Sequence, residues 1–223
     1  MRYRIVWSEL FPPFDIFDDK ANIIAIERPA ELYSFVSELN NQITGGNGSI
    51  VLSSDGEVLR LSSKAELVTQ FFPLELNSRR ILNKLYLNFE KKAMSPEFYG
   101  EQIKLNSAVN SFMNVLTCTE IPETQFGSVN LSALFKAVDL RINDSCESLE
   151  ERVIDYMTNV CALEGERIFV FLNLLNFIDR EKREVFFETV IAHGFFALFV
   201  EASSVEPMPI VNQMIVDEDL CII

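Results

Sequence analysis

The sequence predicts an α/β fold with a helical insertion, on three observations. IFVFLN (168–173) and FFALFVE (195–201) are unbroken apolar runs, the pattern of strands buried on both faces of a parallel sheet. Between them Asp179 is placed to cap a helix running to His193, and Gly194 stands where a left-handed residue ends one. That is a βαβ unit, the building block of nucleotide-handling sheets. The third observation is a change of texture after Pro73, where strand-like runs give way to three helical periods.

Taken in order, YRIVW (3–7) and NIIAIE (22–27) read as strands, separated by turn signals at Pro12-Pro13 and Asp18-Asp19. A helix follows from Pro29 to Ile43, with Leu32, Phe35, Val36, Leu39 and Ile43 on one face; GGNG (45–48) ends it. SIVLSS and EVLRLS flank a DG pair and predict a hairpin, and a short run from Leu67 to Phe72 suggests another strand. The arm then opens with a helix capped by Asn77 or Ser78 and running to Ala93, its apolar face Ile81, Leu82, Leu85 and Phe89. A second helix follows Pro96 to about Thr117, striped by Leu105, Val109, Phe112, Met113 and Leu116. A third covers Ser128–Asp139, with Leu131, Leu134, Phe135 and Val138. Ser148 and Glu151 form a capping box for a further helix that leads into the βαβ unit. In the tail a polar turn at Asp217–Asp219 precedes an apolar ending read as an edge strand. The predicted organisation is a discontinuous head, 1–76 and 140–223, and an arm, 77–139.

Composition narrows the class. Of 223 residues 48% are hydrophobic, 19 are Phe and mean hydropathy is +0.15, which supplies a full core and excludes global disorder. MRYRIVWSEL has no signal-peptide pattern, and IFVFLNLLNFI (168–178) is too short to cross a bilayer, so a cytoplasmic protein without membrane contact is expected. Cys118, Cys146, Cys161 and Cys221 have no ligand-like spacing and read as reduced, mostly buried thiols. The one histidine, His193, reads as a helix-end residue rather than a general base. Net charge is −14, but it is unevenly placed. Residues 77–118 carry Arg79, Arg80, Lys84, Lys91, Lys92 and Lys104 against Glu90, Glu97 and Glu101, a balance of +3, while the remainder carries 13 basic against 30 acidic residues. An acidic body holds one basic island. Arg80, Lys84, Asn88 and Lys91 lie within about 80° on a helical wheel, opposite the apolar stripe, a face able to follow phosphates without reading bases.

Enzymatic chemistry is poorly served. No GxxxxGK[ST] occurs, Gly45, Gly46 and Gly48 read as a helix stop, and IFVFLN ends in Asn173 where a magnesium-binding acid would be wanted. No nucleotide is therefore expected. A metal-dependent nuclease would draw on Glu164, Glu166, Asp179, Asp217, Glu218 and Asp219, for most of which caps, turns or solvated positions give a sufficient account.

IFVFLN followed by IDREKREV, then FFALFVE, the ending VDEDLCII and the mid-chain LNSRRILNKLYLNFE stand in the order found in a known family. The chain resembles the ring-forming spacer-acquisition accessory proteins of subtype II-A CRISPR systems. The resemblance implies a head similar to a phosphate-loop ATPase core without nucleotide hydrolysis, and a helical leg. It also implies a non-enzymatic homotetrameric ring threading double-stranded DNA ends, supported by calcium, and working with the CRISPR integrase complex and the effector nuclease. The basic island would then line the hole. Relatives carry a dense acidic run before the last arm helix; here it is TEIPETQFGS, leaving Glu120 and Glu123 as candidate metal ligands, fewer than calcium's six to eight oxygens. Two other classes stay open beside the ring: the nuclease, and an acidic scaffold that docks basic proteins without touching DNA.

Overall fold

The computed structural model describes residues 2–120 and 125–223, with 118–120 described by backbone alone. It comprises two compact units, Met1–Leu74 with Ser145–Ile223, and Glu75–Asp144. In chain order the first unit opens with β1 (Arg2–Trp7), β2 (Phe11–Phe17), β3 (Ala21–Ile26), α1 (Pro29–Ile43), β4 (Val51–Ser54) and β5 (Glu57–Leu59). A single helical turn, α2 (Leu61–Lys64), leads to β6 (Ala65–Val68). The second unit holds α3 (Arg79–Ala93), α4 (Tyr99–Glu120) and α5 (Leu131–Ala137). The chain returns through α6 (Leu149–Glu164), β7 (Ile168–Leu172), α7 (Arg180–Ala192), β8 (Phe196–Glu201) and β9 (Val211–Val216).

The fold class is α/β, as the sequence predicts. Five strands form a parallel sheet in the order β6-β7-β8-β3-β9, and four form an antiparallel sheet in the order β2-β1-β4-β5. All six residues of β3 and of β8 are buried, since they sit inside the parallel sheet with both faces covered. One face packs Ile24, Ile26, Val170 and Leu198 against Ile5, Trp7 and Leu52 of the antiparallel sheet and Phe35 and Leu39 of α1. The other face is aromatic: Phe169 meets Tyr156 of α6, and Phe199 meets Phe186 and Phe187 of α7 with ring centroids 5.5–5.9 Å apart. Asp55 and Gly56 both have positive φ (51° and 83°), the backbone of the tight hairpin turn that DG predicts.

Three expectations are corrected. Pro12 and Pro13 lie inside β2 rather than in a turn. β2 is an edge strand whose pairing shifts between Ile5 and Trp7 of β1, so the prolines occupy the irregular stretch where missing N–H groups cost no ladder bond. The strand expected over Leu67–Phe72 instead runs Ala65–Val68, ahead of Phe71 and Phe72. In the tail the strand is β9, ahead of the polar turn and parallel to β3; the apolar ending adds an isolated bridge from Val216 to Ile222.

Two polar groups inside the first unit are informative. Asn22 is fully buried; its Nδ2 shares two protons among the carbonyls of Phe17, Lys20 and Ala197 at 2.8–3.0 Å, and its Oδ1 accepts from Phe17 N–H at 2.9 Å. Glu201, 2% exposed, ends β8 and accepts a 3.1 Å bond from Leu175 N–H at the start of a 3₁₀ turn, Leu174–Phe177. Burial pushes the Glu201 carboxyl up to about 7, against the opposing pull of the Leu175 amide and Arg183.

Within the second unit, Ser78 Oγ caps α3 by accepting from Ile81 N–H at 3.5 Å. Asn77 instead bonds both backbone groups of Ile142, at 2.9 and 3.0 Å, joining the two ends of the segment. Asn130 caps α5, which is shorter at both ends than the predicted 128–139 helix. Phe135 of α5 meets Tyr86 at 6.1 Å and Phe89 edge-on at 6.2 Å. Tyr86 is buried and Phe89 stays 41% exposed, an exchange relative to the predicted stripe. Phe112, Leu116 and Val138, also expected inward, are exposed.

Replacing Asn22 with Ala removes its bonds to the Phe17 amide and to the carbonyls of Phe17, Lys20 and Ala197, and should cost about 3 kcal/mol in urea denaturation. The raised Glu201 value means the folded state keeps a proton that the unfolded chain releases. The stabilisation is complete below the ordinary glutamate value of 4.5 and is lost as pH rises to about 7. Glu201→Gln keeps an acceptor for Leu175 N–H and should remove that slope from a pH series of melts; an unchanged slope would assign it elsewhere.

Candidate nucleic-acid interface

The basic island is carried largely by α3. Ile81, Leu85 and Tyr86 are buried on one side, which turns Arg80, Lys84 and Lys91 to the other, where all three are exposed. No acid occupies the first turn of α3, so Arg79 and Arg80 sit at the positive end of the helix macrodipole, and Lys91 and Lys92 lie in its last turn. Among the described residues, Arg79, Lys84 and Lys91 have no carboxylate partner. Lys92 and Lys104 of the predicted set are engaged locally. Lys92 Nζ lies 5.4 Å from the ring centre of Phe98, and Lys104 Nζ is 2.7 Å from Glu101 Oε1, one turn earlier on α4. Arg80, Lys84 and Lys91 thus share one exposed side of α3, and Lys104 is partly neutralised by Glu101.

The acidic candidates do not converge. Glu164 pairs with Arg167 at 2.6 Å, and Glu166 accepts from the Tyr3 hydroxyl, which burial and that carboxylate push far above its ordinary range. Asp179 makes no side-chain cap and lies 3.8 Å from Lys182 Nζ. Asp217 Oδ1 accepts from Asp219 and Cys221 N–H, closing the tail turn. Among the described residues no three His, Cys, Asp or Glu side chains group as a metal-binding set. Glu123 lies outside the described residues, as does the side chain of Glu120.

The turn from β3 to α1 is Glu27-Arg28 with Pro29 at the first helical position, too short and too rigid for a phosphate-cradling loop. At the end of β7, Asn173 takes a left-handed conformation (φ 54°) and its Oδ1 accepts from Ala202 N–H at 3.1 Å, tying β7 to the end of β8. His193 Nδ1 lies 2.8 Å from the Thr189 carbonyl, the helix-end role its position predicts. Cys146 and Cys161 are half-buried and Cys221 is exposed, so the described thiols are less buried than expected. Sequence reasoning missed the Tyr3–Glu166 and Tyr156–Glu66 pairs and the burial of Glu201. Only the last had a signal: an acid continuous with an apolar strand.

No helix is long and apolar enough to cross a membrane among the described residues. The chain is similar in fold to Stu0660 of Streptococcus thermophilus, with a TM-score of 0.58 and 13% identity over 97% of this chain and 75% of that one. A weaker match, to an ABC-transporter ATP-binding protein from Pyrococcus furiosus, has a TM-score of 0.41 and 10% identity over 96% and 97% of the two chains. The family model described as CRISPR-associated protein (Cas_Csn2) matches residues 42–220, a span that includes α3 and the βαβ unit. The chain belongs to the CRISPR-associated protein (Cas_Csn2) family.

Proposed function

We propose that this chain is a non-enzymatic, ring-forming protein that binds double-stranded DNA ends during CRISPR spacer acquisition, with 77–139 as its DNA-facing arm. The CRISPR-associated role comes with the family. The observation that carries the DNA reading is the exposed Arg80–Lys84–Lys91 row on a chain of net charge −14. Phosphates would be drawn to that row and to the α3 N-terminus, and repelled from most other surfaces. Three cations on one chain bind weakly. A homotetramer multiplies them around one hole, and closure turns weak contacts into retention. Lys92 and Lys104 would assist after releasing Phe98 and Glu101. Calcium belongs to the proposal only as a supporting ion, and no step depends on it. The integrase complex and the effector nuclease are the proposed partners.

Retention of linear but not covalently closed duplex of equal sequence, by a species of tetramer mass in light scattering, is the expected result. Equal retention of both, or a monomer, would overturn the ring. Binding should fall steeply with salt, by about 0.9 in the log–log slope per phosphate contact. Arg80→Ala, Lys84→Ala and Lys91→Ala combined should abolish retention while leaving oligomer mass unchanged; undiminished affinity would place the interface on another face.

A further inference from the structure

The first unit carries a second surface feature that the DNA reading does not use. α6 and α7 lie side by side and leave an open furrow of about 490 Å³ between them, within the usual size of binding clefts. Its floor is apolar: Ile154 of α6, and Val185 and Phe186 of α7. Val185 is 64% exposed, an aliphatic residue left in solvent midway along a helix. The rim is acidic, with Glu151 and Asp155 one turn apart on α6 and Glu181 on α7. The one basic residue on the rim, Lys182, is held by Glu150 at 3.6 Å and by Asp179 at 3.8 Å.

We infer that this furrow is a docking site for a basic amphipathic helix of a protein partner. A groove between two packed helices seats a third, which would bury apolar residues spaced i, i+3/i+4 and i+7 on the Ile154–Val185 floor. Charge complementarity selects the occupant: lysines or arginines flanking that stripe meet Glu151, Asp155 and Glu181. The same carboxylates repel nucleic acid. The site is independent of the α3 face, so either reading can fail alone.

The test uses a fluorescent synthetic helical peptide with a leucine stripe and lysine flanks, titrated into the full chain by anisotropy. Val185→Glu is the decisive variant. At an exposed position it leaves folding intact, and its extra negative charge strengthens any generic attraction to a cationic peptide. A seated peptide should nonetheless bind V185E about tenfold more weakly. Combined Glu151→Lys and Asp155→Lys should weaken it comparably, and a glutamate-flanked peptide should not bind. Equal affinity of V185E, or of a scrambled lysine peptide, would overturn the proposal as surface electrostatics alone. A fall in light-scattering mass for V185E would overturn it in favour of a second copy. Loss of duplex retention by V185E with peptide binding unchanged would reassign the furrow to the DNA-binding assembly.

Discussion

The first unit depends on one buried amide. Asn22 stands at the start of β3, where the chain passes from the antiparallel sheet to the parallel one, and both sheets meet at its side chain. It fixes the end of β2 through both backbone groups of Phe17, and β8 through Ala197. Asn212 of β9 adds a bond to its Oδ1 at 3.2 Å and another to the Asp15 carbonyl at 2.7 Å. An apolar residue of the same size would fill the space but leave these backbone groups dry. A buried polar network is tolerable only when nearly complete, and completion sets one register for β2, β3, β8 and β9. The aromatic layer and the α1 layer can then pack against a sheet whose strand order is already decided.

Legibility in the sequence followed local punctuation. α1 was readable end to end because Pro29 presets its first turn and the GG pair stops it. β7, α7 and β8 were readable because strands buried on both faces have no other pattern, and Gly194 at φ 66° marks the helix end. Failures came where a distant partner sets the outcome. Pro12-Pro13 signals a turn in isolation, but an edge position with a register shift removes the penalty. Tyr86 and Phe89 are both near the apolar stripe of α3 and both meet Phe135 of α5, yet only Tyr86 is buried, which the wheel alone does not decide. Of the site, the cationic face of α3 was legible on a wheel, whereas its attrition at Lys92 and Lys104 depended on side-chain geometry. The α6–α7 furrow is formed by two helices separated by β7 and is visible only once they pack.

The acidic excess and the basic row belong to one physical argument. A chain of net charge −14 is repelled by nucleic acid at long range, so contact requires a local field of opposite sign over a distance comparable to the Debye length, about 8 Å at physiological salt. The α3 row extends over about three helical turns, some 16 Å, which satisfies that requirement. Under the proposed DNA reading, duplex approaching an acidic surface of the chain would meet repulsion, which would favour binding at the row. Sequence-independent DNA proteins with uniformly basic surfaces lack this confinement and hold DNA in many poses. An acidic body with one cationic face would hold it in few, as the proposed threading requires.

The N-terminus of α3 sharpens that argument energetically. Helices ordinarily place acids in their first turn, where each contributes roughly 0.3–1 kcal/mol against the macrodipole, and cations there act in the opposite sense. α3 begins with Arg79 and Arg80 directly after its Ser78 cap and has no acid in that turn. Intrahelical stability alone does not favour this arrangement, since Asp or Glu would serve the helix better at either position. An anion placed at that end would reverse the penalty twice, through the exposed amides of the first turn and through the guanidinium groups. The unfavourable local choice thus becomes favourable when a phosphate is bound, and it weakens again as salt screens the field. A stability defect that a ligand of one charge type corrects is a stronger indication of that ligand than basic residues placed where the helix would welcome them.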